Sequence, residues 1–112
     1  MERDPNGIDP HAPGAKLDAG KPRVGLMVQD FARALEAVAE VTTLGAVKYS
    51  PSGWRTVENG IERYNDALMR HQLQSAIEEY DPDLCVLHAA SVAWNALARL
   101  ELILEASEAE DV

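Results

Sequence analysis

Residues 84–97, LCVLHAASVAWNAL, form an almost unbroken apolar run into which His88, Ser91 and Asn95 are set at i, i+3 and i+7. On a helix that spacing puts the three polar side chains on one face. A helix apolar nearly all round belongs in the centre of a bundle or at an interface, and polar groups buried there cost free energy unless something satisfies them. The fold must therefore bring a partner to this stripe: the acidic turn Glu78-Glu79-Tyr80-Asp81-Pro82-Asp83 that precedes it, a metal, or a bound ligand. Upstream of the turn, Tyr64, Leu68 and His71 recur at i, i+4 and i+7, a second helical face.

Three helices are expected around this centre. Residues 29–44 carry the stripe Phe31, Leu35, Val38 and Thr42, with Gly45 at a C-cap position. A second helix runs from about Ile61 to Glu78. A third runs from about Pro82 to Leu104, with Asp81 as N-cap and Pro82 at the first helical position. Residues 46–60 connect the first two through a Ser50-Pro51-Ser52-Gly53 turn. No strand of regular alternation and no repeat is present. The fold class is all-α, a small helical bundle.

The domain reading is a flexible Pro/Gly-rich arm over 1–24, a helical domain over 25–106 and a frayed acidic tail over 107–112. Roughly 80 residues make a marginal core, so oligomerisation as a homodimer or homotetramer is expected. Leu87, Trp94 and Ala98 are expected in a helix–helix contact that lies partly between chains.

The net charge of −9, more than half of it from Glu101, Glu105, Glu108, Glu110 and Asp111, argues against a duplex nucleic-acid binder. It leaves room for a nucleotide whose phosphates arrive with a divalent metal. Cys85 is the single cysteine, no apolar run reaches membrane-spanning length and residues 1–13 hold no signal-peptide core, so a reducing, cytoplasmic setting is expected.

P-loop, nucleophile-elbow, His-Asp and Cys-x-x-Cys signatures are all absent. What remains is rich in oxygen. Glu36, Glu78 and Asp81, with Glu40 as a fourth, are the metal candidates, and carboxylates without thiolates suit Mg²⁺ or Mn²⁺ serving phosphate chemistry. His71 lies two helical turns before Glu78 and joins Glu36, Glu78 and Asp81 as a candidate catalytic group. Lys21 and Arg23 sit on a basic glycine-containing loop that is either a solvated arm or a phosphate contact. Lys48, Tyr49, Trp54 and Arg55 flank the 50–53 turn, as loop packing or as a flap that stacks on a base and contacts phosphate. Arg70 stands four residues after Asp66, the spacing of a surface ion pair, and His88 and Asn95 belong to the polar stripe.

Several short motifs occur in a fixed order: Asp18-x-Gly20-Lys21-Pro22, Ala34-Leu35-Glu36, Gly45-Ala46-x-Lys48-Tyr49, Trp54-Arg55, Tyr64, Arg70-His71, Glu78-x-x-Asp81, His88 and Trp94-Asn95. In this the stretch Asp18–Glu101 resembles the phage-associated dATP/dGTP diphosphohydrolases, a MazG-like branch of the all-α nucleoside triphosphate pyrophosphohydrolases. The resemblance implies an oligomeric helical bundle that cleaves a (deoxy)purine triphosphate, dGTP or dATP, to the monophosphate and pyrophosphate with Mg²⁺ or Mn²⁺, in a phage's nucleotide-pool metabolism. It also implies a nucleotide-binding role for Arg70, His88 and Asn95. Three places depart from the family pattern. Ile77 stands where glycine precedes the Glu of Glu-x-x-Asp, Leu84-Cys85 where Ser-Gly follows the turn, and Ser91 where a second His follows His88. These departures motivate the alternative: a non-catalytic helical module that binds nucleotide or serves phage interactions.

Overall fold

The computed structural model describes residues 1–110. Its regular elements are helices: α1 (Val24–Asp30), α2 (Ala32–Lys48), a 3-10 turn (Gly53–Thr56), α3 (Gly60–Ser75) and α4 (His88–Glu110). Among the described residues the extended pairing is limited to an isolated antiparallel bridge between Tyr80 and Leu87. The chain is thus a small all-α bundle, and no helix among the described residues is long and apolar enough to cross a membrane. It divides into two compact units, Met1–Phe31 and the remainder from Ala32.

The first unit differs from the flexible arm expected. Asp4 is buried, and its carboxylate accepts the backbone N–H groups of Asn6 (2.7 Å) and Lys16 (2.8 Å). The Lys16 N–H, helped by those of Asn6 and Ile8, holds the Asp4 carboxyl below the usual carboxylate range. One side chain therefore pins a run of turns through a bond spanning twelve residues, which no periodicity announces.

In the second unit α4 is the common element, packing on α3, α2 and the 3-10 turn. The core gathers Val41, Val86 and Ala90, with Ala37, Leu44, Leu84, Leu87 and Trp94 against them. Trp54, Tyr64 and Trp94 form a closed set of edge-to-face contacts at 5.7–6.2 Å between centroids. The Tyr64 hydroxyl also donates to the Trp54 carbonyl (2.7 Å), fastening the 3-10 turn to α3. Burial among these rings pushes the Tyr64 phenol upward. Gly60 opens α3 where the chain passes close to α4: a Cβ there would lie 2.8 Å from a Leu102 methyl.

Helix boundaries differ from expectation in instructive ways. α2 continues through Gly45 to Lys48. An interior glycine costs only about 1 kcal/mol, whereas Pro51 disfavours the helical conformation at Ser50, so the proline marks the stop. Glu105 and the helix around it extend beyond Ala106 to Glu110, where a frayed tail was expected; Asp111 and Val112 of that tail lie outside the described residues. Leu87, Trp94 and Ala98 face the chain's own interior, and the exposed apolar stripe of α4 is Leu97, Leu100 and Leu104.

The largest difference lies between α3 and α4. Helix α3 ends at Ser75, and α4 begins at His88 rather than Pro82. The expected cap at Asp81 does form, since Asp81 Oδ1 accepts the Asp83 N–H (2.9 Å), but it opens only a single turn. Cys85 then enters the left-handed region (φ 57°), and the chain folds back on itself. Asp81 N–H donates to the Val86 carbonyl (2.7 Å), Cys85 N–H to that of Asp81 (2.8 Å) and His88 N–H to that of Glu79 (3.0 Å). The backbone conformation of Cys85 is one that glycine adopts without strain and that a residue with a Cβ enters only at a cost. The Cys85 side chain is exposed. Cys85→Gly is therefore expected to raise stability by about 0.5–1 kcal/mol in urea denaturation; an unchanged or lower midpoint would show that the loop carries no strain there.

Candidate active site

The acidic loop delivers Asp81 to the open side of the bundle, where a cleft of about 1000 Å³ lies between α2, the 50–54 turn, α3 and α4. That is the upper end of the usual range for small-ligand sites. Its walls combine three chemistries. Lys48, Arg63 and Arg70 supply positive charge, Tyr49, Trp54, Tyr64 and Trp94 supply aromatic surface, and His71, Ser91, Asn95 and the carboxylates of Asp66, Asp81 and Asp83 supply hydrogen-bonding or ligating groups. At its mouth Lys48 Nζ bridges to Asp83 Oδ2 (2.6 Å), which raises the lysine's pKa, and lies 5.3 Å from the centre of the Tyr49 ring. Both partners of that bridge are exposed, so it is worth little to stability and is readily exchanged for another anion.

At one end of the cleft, a nitrogen from each of His71 and His88 and a carboxylate oxygen of Asp81 lie within 4.8 Å of one another. The two Nδ1 atoms are 3.0 Å apart. His88 is only 1% exposed, and its Nε2 has no hydrogen-bond partner; Glu78 Oε1 stands 3.6 Å away. His71 is half-buried at the cleft wall, and desolvation lowers its pKa, opposed by Asp81 and aided by His88 and Arg70. The ring is therefore a neutral imidazole at neutral pH, the form that accepts a proton or binds a cation. Asn95, buried on the same face of α4, donates from Nδ2 to the Ser91 carbonyl (2.8 Å), which orients its amide within the cleft wall.

The structure places the other sequence candidates as follows. Lys48, Tyr49, Trp54, Arg70 and Asn95 line the cleft together with His71 and Asp81. His88 does not line it; it lies behind His71. Arg55 turns away, pairing with Glu105 of α4 and covering the Trp54 ring at 4.7 Å. Glu78 is exposed at the far side of His88. Glu36 and Glu40 are exposed on α2 and do not reach the cluster, because at 100° per residue they fall opposite Val38, Val41 and Gly45. Lys21 pairs with Glu2 (3.0 Å), and Arg23 precedes α1, both within the first unit. Arg63 and Asp83 were not singled out in the sequence. Arg63 had a signal, since it precedes Arg70 by seven residues and so shares its face of α3.

The depressed pKa of His71 has a consequence for stability. Between the folded value and about 6.5 the unfolded chain binds more protons than the folded one, so stability rises with pH across that window. In chelator, the contribution is expected to be complete above about pH 6.5 and to decline as pH falls below it, with His71→Gln giving a flatter profile. Equal pH slopes for wild type and variant in denaturant titrations would contradict this.

The sequence matches the family model described as dATP/dGTP diphosphohydrolase, N-terminal, over residues 11–112. No curated protein and no solved structure shows significant similarity to the chain. The family match takes in every residue of the cleft, and with it the chain is a member of the dATP/dGTP diphosphohydrolase N-terminal family.

Proposed function

We propose that the cleft hydrolyses a purine (deoxy)nucleoside triphosphate, dGTP or dATP, to the monophosphate and pyrophosphate, in the cytoplasm and as part of phage nucleotide-pool metabolism. The observation that carries this reading is the coexistence, in one cleft, of three cationic side chains with a neutral imidazole and the carboxylates of Asp66, Asp81 and Asp83. Lys48, Arg63 and Arg70 offset the charge of the triphosphate and orient it. The exposed ring of Tyr49 offers a stacking surface for the base, since Trp54 is already engaged by Tyr64, Trp94 and Arg55. Asn95 presents its remaining amide valences to a purine edge.

The donor set fits a divalent cation, Mn²⁺ better than Mg²⁺: Asp81 supplies oxygen and the half-buried His71 supplies a nitrogen that burial keeps deprotonated. When bound, such a cation neutralises phosphate charge and lowers the pKa of an attacking water. Water attack at the α-phosphorus forms the new P–O bond as the bond to the pyrophosphate oxygen breaks, with His71 acting through the cation and the water's proton released to solvent at the open side of the cleft. The exposed stripe Leu97, Leu100 and Leu104 supports assembly as a homodimer or homotetramer through α4. Light scattering at micromolar concentration reports the assembly, and a monomer there would exclude it.

The direct test incubates the protein with a dNTP panel and Mg²⁺ or Mn²⁺ and separates pyrophosphate from orthophosphate. Pyrophosphate with dGMP or dAMP is expected, and orthophosphate alone would reject the reading. Nucleotide-dependent thermal stabilisation without product would instead assign the cleft to binding. In the same assay Asn95→Ala is expected to raise KM or lower kcat at modest cost in stability. A fall of roughly 1–3 kcal/mol in stability with unchanged kinetics would make Asn95 structural.

A further inference from the structure

We infer that His71, His88 and Asp81 form a nitrogen-rich site for a first-row transition dication, with Glu78 acting behind His88 rather than on the metal. This goes beyond the reading above, which needs only some divalent cation. The geometry of the two rings carries it. Their Nδ1 atoms lie 3.0 Å apart. At metal–nitrogen distances of about 2.0–2.1 Å, two ligands at right angles lie about 3 Å apart, so the rings already hold the separation that one shared cation requires. Asp81 completes the set with a carboxylate oxygen within 4.8 Å of both. Its Oδ1 is occupied by the Asp83 N–H, which fixes the carboxylate while leaving Oδ2 for a cation.

The unpartnered side of His88 supports the same assignment. Its Nε2 has no hydrogen-bond partner in a side chain 1% exposed, and Glu78 Oε1 stands 3.6 Å from it. A proton on that nitrogen faces the Glu78 carboxylate and leaves Nδ1 with a lone pair directed at His71. Carboxylate, imidazole and metal in that order are the usual support of a ligating histidine, in which the carboxylate fixes the tautomer and raises the ring's basicity. Metal-free, the Nδ1 pair is held by one proton, donated by His71. A cation displaces that proton when His71 shifts to its other neutral tautomer; it lies to one side of the line between the two nitrogens, so the rings keep their separation and tilt toward it.

Two imidazoles and one carboxylate are softer than the all-oxygen shell that Mg²⁺ prefers, and they suit Mn²⁺, Co²⁺ or Zn²⁺. The test uses the full chain, freed of metal by chelation and without nucleotide, so that its outcome is independent of hydrolysis. Titration with CoCl₂ is read in the visible d–d bands and by calorimetry, then repeated with excess MgCl₂. One Co²⁺ per chain is expected, with Mg²⁺ binding weaker on the order of 100-fold. His71→Gln and Asp81→Asn are expected to lose the bands, each checked for native helical content by circular dichroism. Glu78→Gln, a surface change compatible with folding, should retain the stoichiometry and weaken binding by roughly 10–100-fold. Displacement of Co²⁺ by equimolar Mg²⁺, or bands that persist in folded His71→Gln, would overturn the site. Unchanged affinity in Glu78→Gln would overturn the part given to Glu78.

Discussion

A histidine buried at the first residue of the central helix is the constraint on which the second unit turns. An imidazole withdrawn from water needs both of its ring nitrogens accounted for. One is met by His71, which fixes the phase of α3 against α4. The other looks toward Glu78, which requires the chain between the helices to double back rather than continue as helix. The Tyr80–Leu87 bridge, the left-handed Cys85 and the short turn capped by Asp81 are the means by which it does so. The same reversal carries Asp81 to the two rings. Packing and the polar cluster thus share one origin: the geometry that makes His88 tolerable in a core also assembles the polar end of the cleft.

The fold class was legible because a period of 3.6 is a local signal and three of the helices show it plainly. His88, Ser91 and Asn95 lie buried on one face of α4, as their spacing indicates. Helix limits were less legible, because capping signals act alongside backbone strain and tertiary bonds. Asp81-Pro82 is a sound cap that begins only one turn. Gly45 resembles a stop but sits inside a helix whose end is set by Pro51.

The site was legible in part, and the misses share a cause. Spacing tells which residues share a face, but not which face the bundle covers. Glu36 and Glu40 are on one side of α2, and that side is the exposed one. Arg55 is held by Glu105, fifty residues away, and Asp4 by a backbone group twelve residues away. The His71–His88 contact is likewise non-local, so each histidine on its own resembled an isolated polar residue on an apolar face.

The aromatic set carries a consequence of its own. Trp54 and Trp94 are the chain's two tryptophans, and they stand 5.9 Å apart in edge-to-face contact, both on the wall of the cleft. All of the indole emission of this protein therefore originates at the site, from two chromophores close enough to exchange excitation. Tyr64 touches both rings, and Arg55 lies over one. The spectroscopic signal is in this way built into the wall itself, and any molecule that enters the cleft changes the surroundings of every tryptophan the chain possesses.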